Sequence, residues 1–207
     1  MASAIMHIAV ANQINKVIKM NNEILIGSIA PDISKLIKQP RRISHYHADN
    51  NEVPDLEKFL KTYDINSPYN LGYFIHLLTD KIWFEDFLPI HYEQNKVRLS
   101  NVKLVVMNET EKDKLIYEDY NSITNIIIEK YNLNLDFLNY IYNIDTDIKI
   151  ASVKDIKILL NEVIRLTTNT KIKPLNIFKK EEIFDFIDKC VEEGLHAISK
   201  QKKQIRS

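Results

Sequence analysis

The amino-acid sequence predicts an all-α fold, a multi-helix orthogonal bundle around a long central helix, and three observations carry that prediction. Only three glycines occur in 207 residues, which leaves little material for tight hairpins. Leu, Ile, Lys and Glu recur at spacings of three and four, the period of an amphipathic helix. One segment, from about Tyr69 to Phe87, is apolar or aromatic on more than one side, as expected of a helix surrounded by protein.

Taken in order, the first helix is expected from about Ala4 to Lys19, with Ile5, Ile8, Val10, Ile14, Val17 and Ile18 on a broad apolar face and His7 in its opening turns. It should stop at Met20-Asn21-Asn22. The apolar stretch Ile24 to Asp32 is broken by Gly27 and Pro31, so it should be buried and present Asp32 from a bend, where it can also cap a short helix from Ile33 to Ile37. A loop with Pro40, Arg41, Arg42, His45, Tyr46, His47 and Asp49 follows. Pro54 suits the first turn of a helix to about Tyr63, and Ser67-Pro68 combines a capping hydroxyl with a first-turn proline for the central helix. That helix carries His76 and Asp80, and its Tyr73, Phe74 and Trp83 read as core.

From Tyr92 to Glu109 the periodicity weakens, and a loop or extended segment is expected. Thr110 with Asp113 can cap a helix through about Tyr131, Ser152 with Asp155 another through about Leu166, and a last helix should run from near Lys179 to Lys200. The whole reads as one helical domain, with residues 1–131 as a metal-binding core and 132–207 as an added helical layer.

Composition excludes several function classes. The 28 basic and 28 acidic residues balance, so there is no strong nucleic-acid signal. No apolar run approaches the length of a transmembrane segment. The single cysteine, Cys190, forms no internal disulfide framework, and with no charged-then-apolar leader the reading is a cytoplasmic protein.

Five of the six histidines lie in the first half of the chain. His76 and Asp80, at i and i+4 on one helix, point the same way and can share one ion. A hydrolytic zinc site needs about three protein ligands and an open position for water, so a third must come from elsewhere, with His45 the best candidate. Taken alone, the pair is weak evidence, because this spacing more often marks a buried histidine bonded to a neighbouring carboxylate.

The ordered set His7, Gly27-Ser28-Ile29-Ala30-Pro31-Asp32, Ser44-His45-Tyr46 and Leu71-Gly72-Tyr73-Phe74-Ile75-His76-Leu77-Leu78-Thr79-Asp80 resembles the N-terminal pattern of the zinc-dependent phospholipase C family, whose superfamily includes secreted fungal nucleases. The resemblance implies an all-helical fold holding a zinc cluster that cleaves phosphate esters. It implies that His45, His76 and Asp80 hold one zinc, that Asp80 bridges to a second touched by His7, and that Asp32 is a ligand or the general base. The family's following Pro-x-His corresponds to Pro89-Ile90-His91, displaced several residues along the chain, which makes His91 a further candidate ligand. Its H-x-x-x-E motif is absent: Lys114 stands where histidine is expected, with Glu118 and Asp119 as the nearby carboxylates. One or two ions are therefore expected, zinc first, with manganese and iron as alternatives. Arg41 and Arg42 can bind a substrate phosphate in bidentate fashion.

The expected function is thus metal-dependent hydrolysis of a small-molecule or lipid phosphate ester. The alternative is a non-catalytic helical binding or scaffold protein that keeps the fold and at most one metal. A nucleotide phosphohydrolase of the His-Asp type is disfavoured, because no His-Asp dipeptide occurs. Oligomeric state is not legible in one chain.

Overall fold

A computed structural model describes residues 1–47, 52–140, 144, 146–148 and 153–204. The helices are α1 (Ala4–Ile18), α2 (Glu23–Gly27), α3 (Ile33–Leu36), α4 (Arg41–Ser44), α5 (Leu56–Thr62), α6 (Pro68–Ile82), α7 (Leu88–His91), α8 (Glu109–Tyr131), α9 (Val153–Thr168) and α10 (Lys180–Gln204). The all-α reading holds, with one small exception. Between α7 and α8, β1 (Tyr92–Glu93), β2 (Lys96–Arg98) and β3 (Leu104–Val106) form an antiparallel sheet in that order, with Val97 opposite Tyr92 and Val105. A loop or extended segment was expected there because the periodicity weakens. The chain turns instead on Gln94 at φ 57° and Val102 at φ 69°, side chains placed in the left-handed region that glycine usually fills.

The central helix is α6. Ser67 caps it by accepting from the Asn70 N–H, and Pro68 occupies its first turn. Leu71, Ile75 and Leu77 are fully or almost fully buried, as are Tyr73, Phe74 and Trp83, the last at the start of a π-helical turn, Trp83–Phe87, that joins α6 to α7. Around α6 pack α1, α2 and α10, and α1 also meets α8. Cys190 is a buried thiol within this core.

Helices α2 and α6 lie close together, and that approach explains two of the three glycines. A Cβ on Gly27 would lie 2.1 Å from the Tyr69 carbonyl oxygen, and one on Gly72 would lie 2.0 Å from that of Ile24. Any side chain at either position would push the helices apart. This contact sets the depth at which the Ser28 carbonyl sits beside α6.

Three caps differ from expectation. Asp55, not Pro54, starts α5, its carboxylate accepting from the Lys58 N–H, while Pro54 stays in an extended bridge with His47. Helix α8 begins two residues early, on an Asn108–Glu111 capping box that outcompetes Thr110–Asp113 because each side chain satisfies the other's backbone N–H. The Asp32 side chain does not cap α3. Ser152, expected to cap α9, and Asp49 lie outside the described residues.

Candidate metal centre

Four segments converge on one buried point. Helix α1 contributes His7, a 3-10 turn (Ala30–Asp32) contributes Asp32, α4 contributes Arg41 from its first position and His45 from just past its end, and α6 contributes His76 and Asp80. His7, His45, His76 and Asp80 are fully buried. The Asp32 side chain is 17% exposed and opens onto a cavity of about 350 Å³.

Hydrogen bonds fix the tautomers. His76 Nδ1–H donates to the Ser28 carbonyl at 2.7 Å, which leaves its Nε2 with a lone pair. The Ser44 hydroxyl donates to the Arg41 carbonyl at 3.2 Å and accepts from His45 Nδ1–H at 2.8 Å. His45 Nε2 therefore also presents a lone pair. The two Nε2 atoms face each other 3.3 Å apart, and each lies 3.7 Å from Asp80 Oδ2. Asp32 Oδ1 is 3.5 Å from His45 Nε2 and, though buried, accepts no hydrogen bond. Such a concentration of lone pairs is unfavourable without a cation among them.

The geometry fits zinc. Two nitrogens about 2.0–2.1 Å from a tetrahedral zinc lie about 3.3–3.4 Å apart, and the two Nε2 atoms are separated by 3.3 Å. Two groups of donors lie within ligating distance of one another: Asp32, His45 and His76, and His7, His76 and Asp80. His7 stacks on His76 with ring centroids 3.7 Å apart, and its Nε2 is 3.5 Å from Asp80 Oδ1. Neither of its ring nitrogens has a hydrogen-bond partner, a further sign of an unfilled ligating role.

Electrostatics favour the ligating forms. Burial, together with the neighbouring His7, lowers the His76 pKa well below its usual value and keeps the ring neutral. Burial alone would raise the carboxyls, but His45 and His76 beside Asp32, and His7 beside Asp80, hold both well below the usual carboxylate range. Asp80 also accepts from the Ala2 N–H at 3.0 Å through Oδ1 and from the Arg41 guanidinium at 2.8 Å through Oδ2.

The structure therefore brings together His7, Asp32, Arg41, His45, His76 and Asp80, and it corrects the other candidates. His91 does not reach the cluster, because the helical path runs unbroken through α6, the π turn and α7. Three turns separate it from Asp80, about 16 Å at about 1.5 Å per residue. Its ring packs against Phe87 and Phe178, Nδ1 accepts from Arg98 at 3.2 Å, and Nε2 faces Glu182 at 3.9 Å. Arg42 is exposed beside its buried-facing neighbour. Asp119 is not free to ligate: its carboxylate accepts from the backbone N–H groups of Asn176, Ile177 and Phe178 and from the Asn176 side chain. Glu118 faces a separate surface depression.

Sequence reasoning missed the backbone partners. The Ala2 N–H, the Ser28 carbonyl and the Met1 carbonyl bonded to the Tyr120 hydroxyl all sit at the site, and no side-chain pattern encodes them. It anticipated α9 through about Leu166 but not its position, in which Leu159, Val163 and Leu166 join Tyr117 and Tyr120 in lining the cavity above Asp32. The helical span of α9 was legible, but not which cavity its apolar face would close.

A family model described as zinc dependent phospholipase C matches residues 6–203. No curated protein and no solved structure matches the chain significantly. The match spans nearly the whole chain, and the donor set has the histidine and carboxylate chemistry that zinc requires: the chain belongs to the zinc-dependent phospholipase C family.

Proposed function

We propose that the protein hydrolyses a lipid phosphate ester at a zinc site that His45, His76 and Asp80 would hold, with an open position for water beside Asp32, and with His7 and the other oxygen of Asp80 available to a second ion. The observation that carries this reading is the pair of lone-pair nitrogens, His45 Nε2 and His76 Nε2, facing each other 3.3 Å apart beside two carboxylates. Zinc bound there supplies Lewis acidity toward a phosphate oxygen and lowers the pKa of a bound water toward neutrality.

The chain's own groups do the rest. Asp32, ionised across the neutral range and standing between the donors and the cavity, accepts a hydrogen bond from the attacking water and orients it. Arg41, whose Nε is buried without a partner, sets a guanidinium against Asp80 and can offer its free N–H to an incoming phosphate. Tyr120, Val163 and Leu166 give the cavity an apolar wall suited to the glyceride side of a lipid ester.

Elemental analysis of protein purified without chelator tests the reading. Wild type should carry one or two equivalents of zinc, His45→Ala and His76→Ala should lose them, and hydrolysis of short-chain phosphatidylcholine and bis-p-nitrophenyl phosphate should fall with the metal. Metal content that is the same in wild type and both variants would sink the proposal.

A further inference from the structure

We infer that the rim of the cavity is a docking surface for an anionic lipid bilayer, with Ile172 as its apolar tip and Lys114, Lys171 and Lys173 as its cationic ring. The loop between α9 and α10 is pinned to α8. Asn121 Nδ2 donates to the Asn169 carbonyl at 3.1 Å, the Lys171 N–H donates to Asn121 Oδ1 at 2.7 Å, and Asn125 Nδ2 donates to Thr170 Oγ1 at 2.6 Å. This holds Lys171 and Lys173 beside Lys114 around a shallow depression of about 400 Å³. Tyr117 and Asn121 line that depression and also the cavity that reaches Asp32, so the lysines and the mouth share one side of the molecule.

Ile172 is 78% exposed, more than any other large hydrophobic side chain among the described residues. A lone exposed isoleucine is ordinary. This one sits between two lysines, with Tyr117 and Leu166 also exposed on the rim, at 52% and 42%. The charge balance is one-sided. Glu162 is already paired with Arg165 at 2.7 Å, so among the described residues lining the two depressions Glu118 and the deeper Asp32 are the other carboxylates, against Lys114, Lys171, Lys173 and Lys35, the last bonded to the Tyr117 hydroxyl at 3.3 Å. An apolar tip flanked by ammonium groups matches a bilayer, where the tip enters the acyl boundary and the lysines stay at the phosphates. A nucleic-acid backbone would use the lysines but gain nothing from Ile172.

This inference rests on the lipid reading of the cavity, since a bilayer seated on the rim would present its phosphate esters to the mouth. The test is co-sedimentation of the full chain with vesicles of phosphatidylglycerol and phosphatidylcholine in equal parts, and with vesicles of phosphatidylcholine alone. Wild type should partition to the anionic vesicles and less so as salt is raised. At roughly fivefold per lysine, the combined variant Lys114→Gln, Lys171→Gln, Lys173→Gln should lose about a hundredfold in partition, and Ile172→Ser roughly tenfold. Both variants should keep the wild-type melting temperature and the wild-type turnover of soluble bis-p-nitrophenyl phosphate. Absence of wild-type partition, or equal partition by wild type and the lysine variant, overturns the inference. So does tighter binding of a labelled single-stranded oligonucleotide than of vesicles, with no effect of Ile172→Ser. Lack of turnover of the soluble diester by wild type would instead count against the phosphoesterase reading, and the vesicle result would still decide the docking surface.

Discussion

His76 commits one ring nitrogen to the Ser28 carbonyl and keeps the other for the cluster, and that division gives the residue-scale predictions their direction. Its i+4 partner was legible in the sequence because a helix fixes that geometry locally. His45 was named by the need for a third ligand from elsewhere in the chain, and the role of Asp32 only through the family pattern, since nothing local says that a residue at a bend meets a helix. His91 was misplaced because its motif spacing was read without the helical rise that carries it away. Asp32→Asn should retain zinc, because the remaining donors persist, yet lower turnover by about a hundredfold or more; metal analysis and initial rates on one preparation would separate the two roles. His91 supplies a pH prediction away from the metal. Burial, with Arg98 nearby, lowers its pKa to about 4 from the ordinary 6.5. A lowered histidine pKa means that the unfolded chain takes the proton more readily, so stability is fully present above about 6.5 and declines as pH falls toward about 4. The loss amounts to at most about 3 kcal/mol. Urea unfolding at pH 7 and pH 4 should show a smaller acid loss in His91→Gln than in wild type.

At the scale of elements, the site depends on how closely α2 lies on α6. Gly72→Ala would set a Cβ against the Ile24 carbonyl, which must move or force the helices apart. The expected cost is about 3 kcal/mol, and the shift carries the Ser28 carbonyl away from His76, so zinc content should fall as well. A variant that binds zinc normally with unchanged urea midpoint would show that the contact is slack. Most helices could be read from period and caps, because Ser67-Pro68 and the apolar face of α1 are local signals. The sheet could not, because Gln94 and Val102 adopt left-handed turns that their side chains disfavour, and only tertiary packing repays that conflict. The α8 start was missed by two residues because a serine or threonine cap and an asparagine cap compete on equal terms in sequence, and the reciprocal bond of Asn108 with Glu111 decides between them.

For the whole molecule, the ligands come from α1, the turn before α3, α4 and α6, so metal binding ties together segments from across the N-terminal half. A ligand that binds only the folded chain stabilises it by mass action, about 4 kcal/mol at a thousandfold excess over Kd. Chelation should therefore lower the melting temperature of wild type and leave His45→Ala, already metal-free, unchanged; calorimetry with and without chelator reads this directly. The two C-terminal helices were anticipated in outline, but not what they touch: α9 closes the cavity over Asp32, and Asp119 in α8 anchors residues 176–178 ahead of α10. Such long-range pairings leave no periodic trace in the chain.

The seating of Gly27 against α6 and of Gly72 against α2 also orders events in time. Until those two helices seat, no carbonyl holds the His76 proton at Nδ1, and the ligand nitrogen alternates between tautomers. Zinc uptake during refolding should then follow a first-order step whose rate is independent of zinc concentration, making the ion a clock for the docking of α2 rather than a nucleus for the fold.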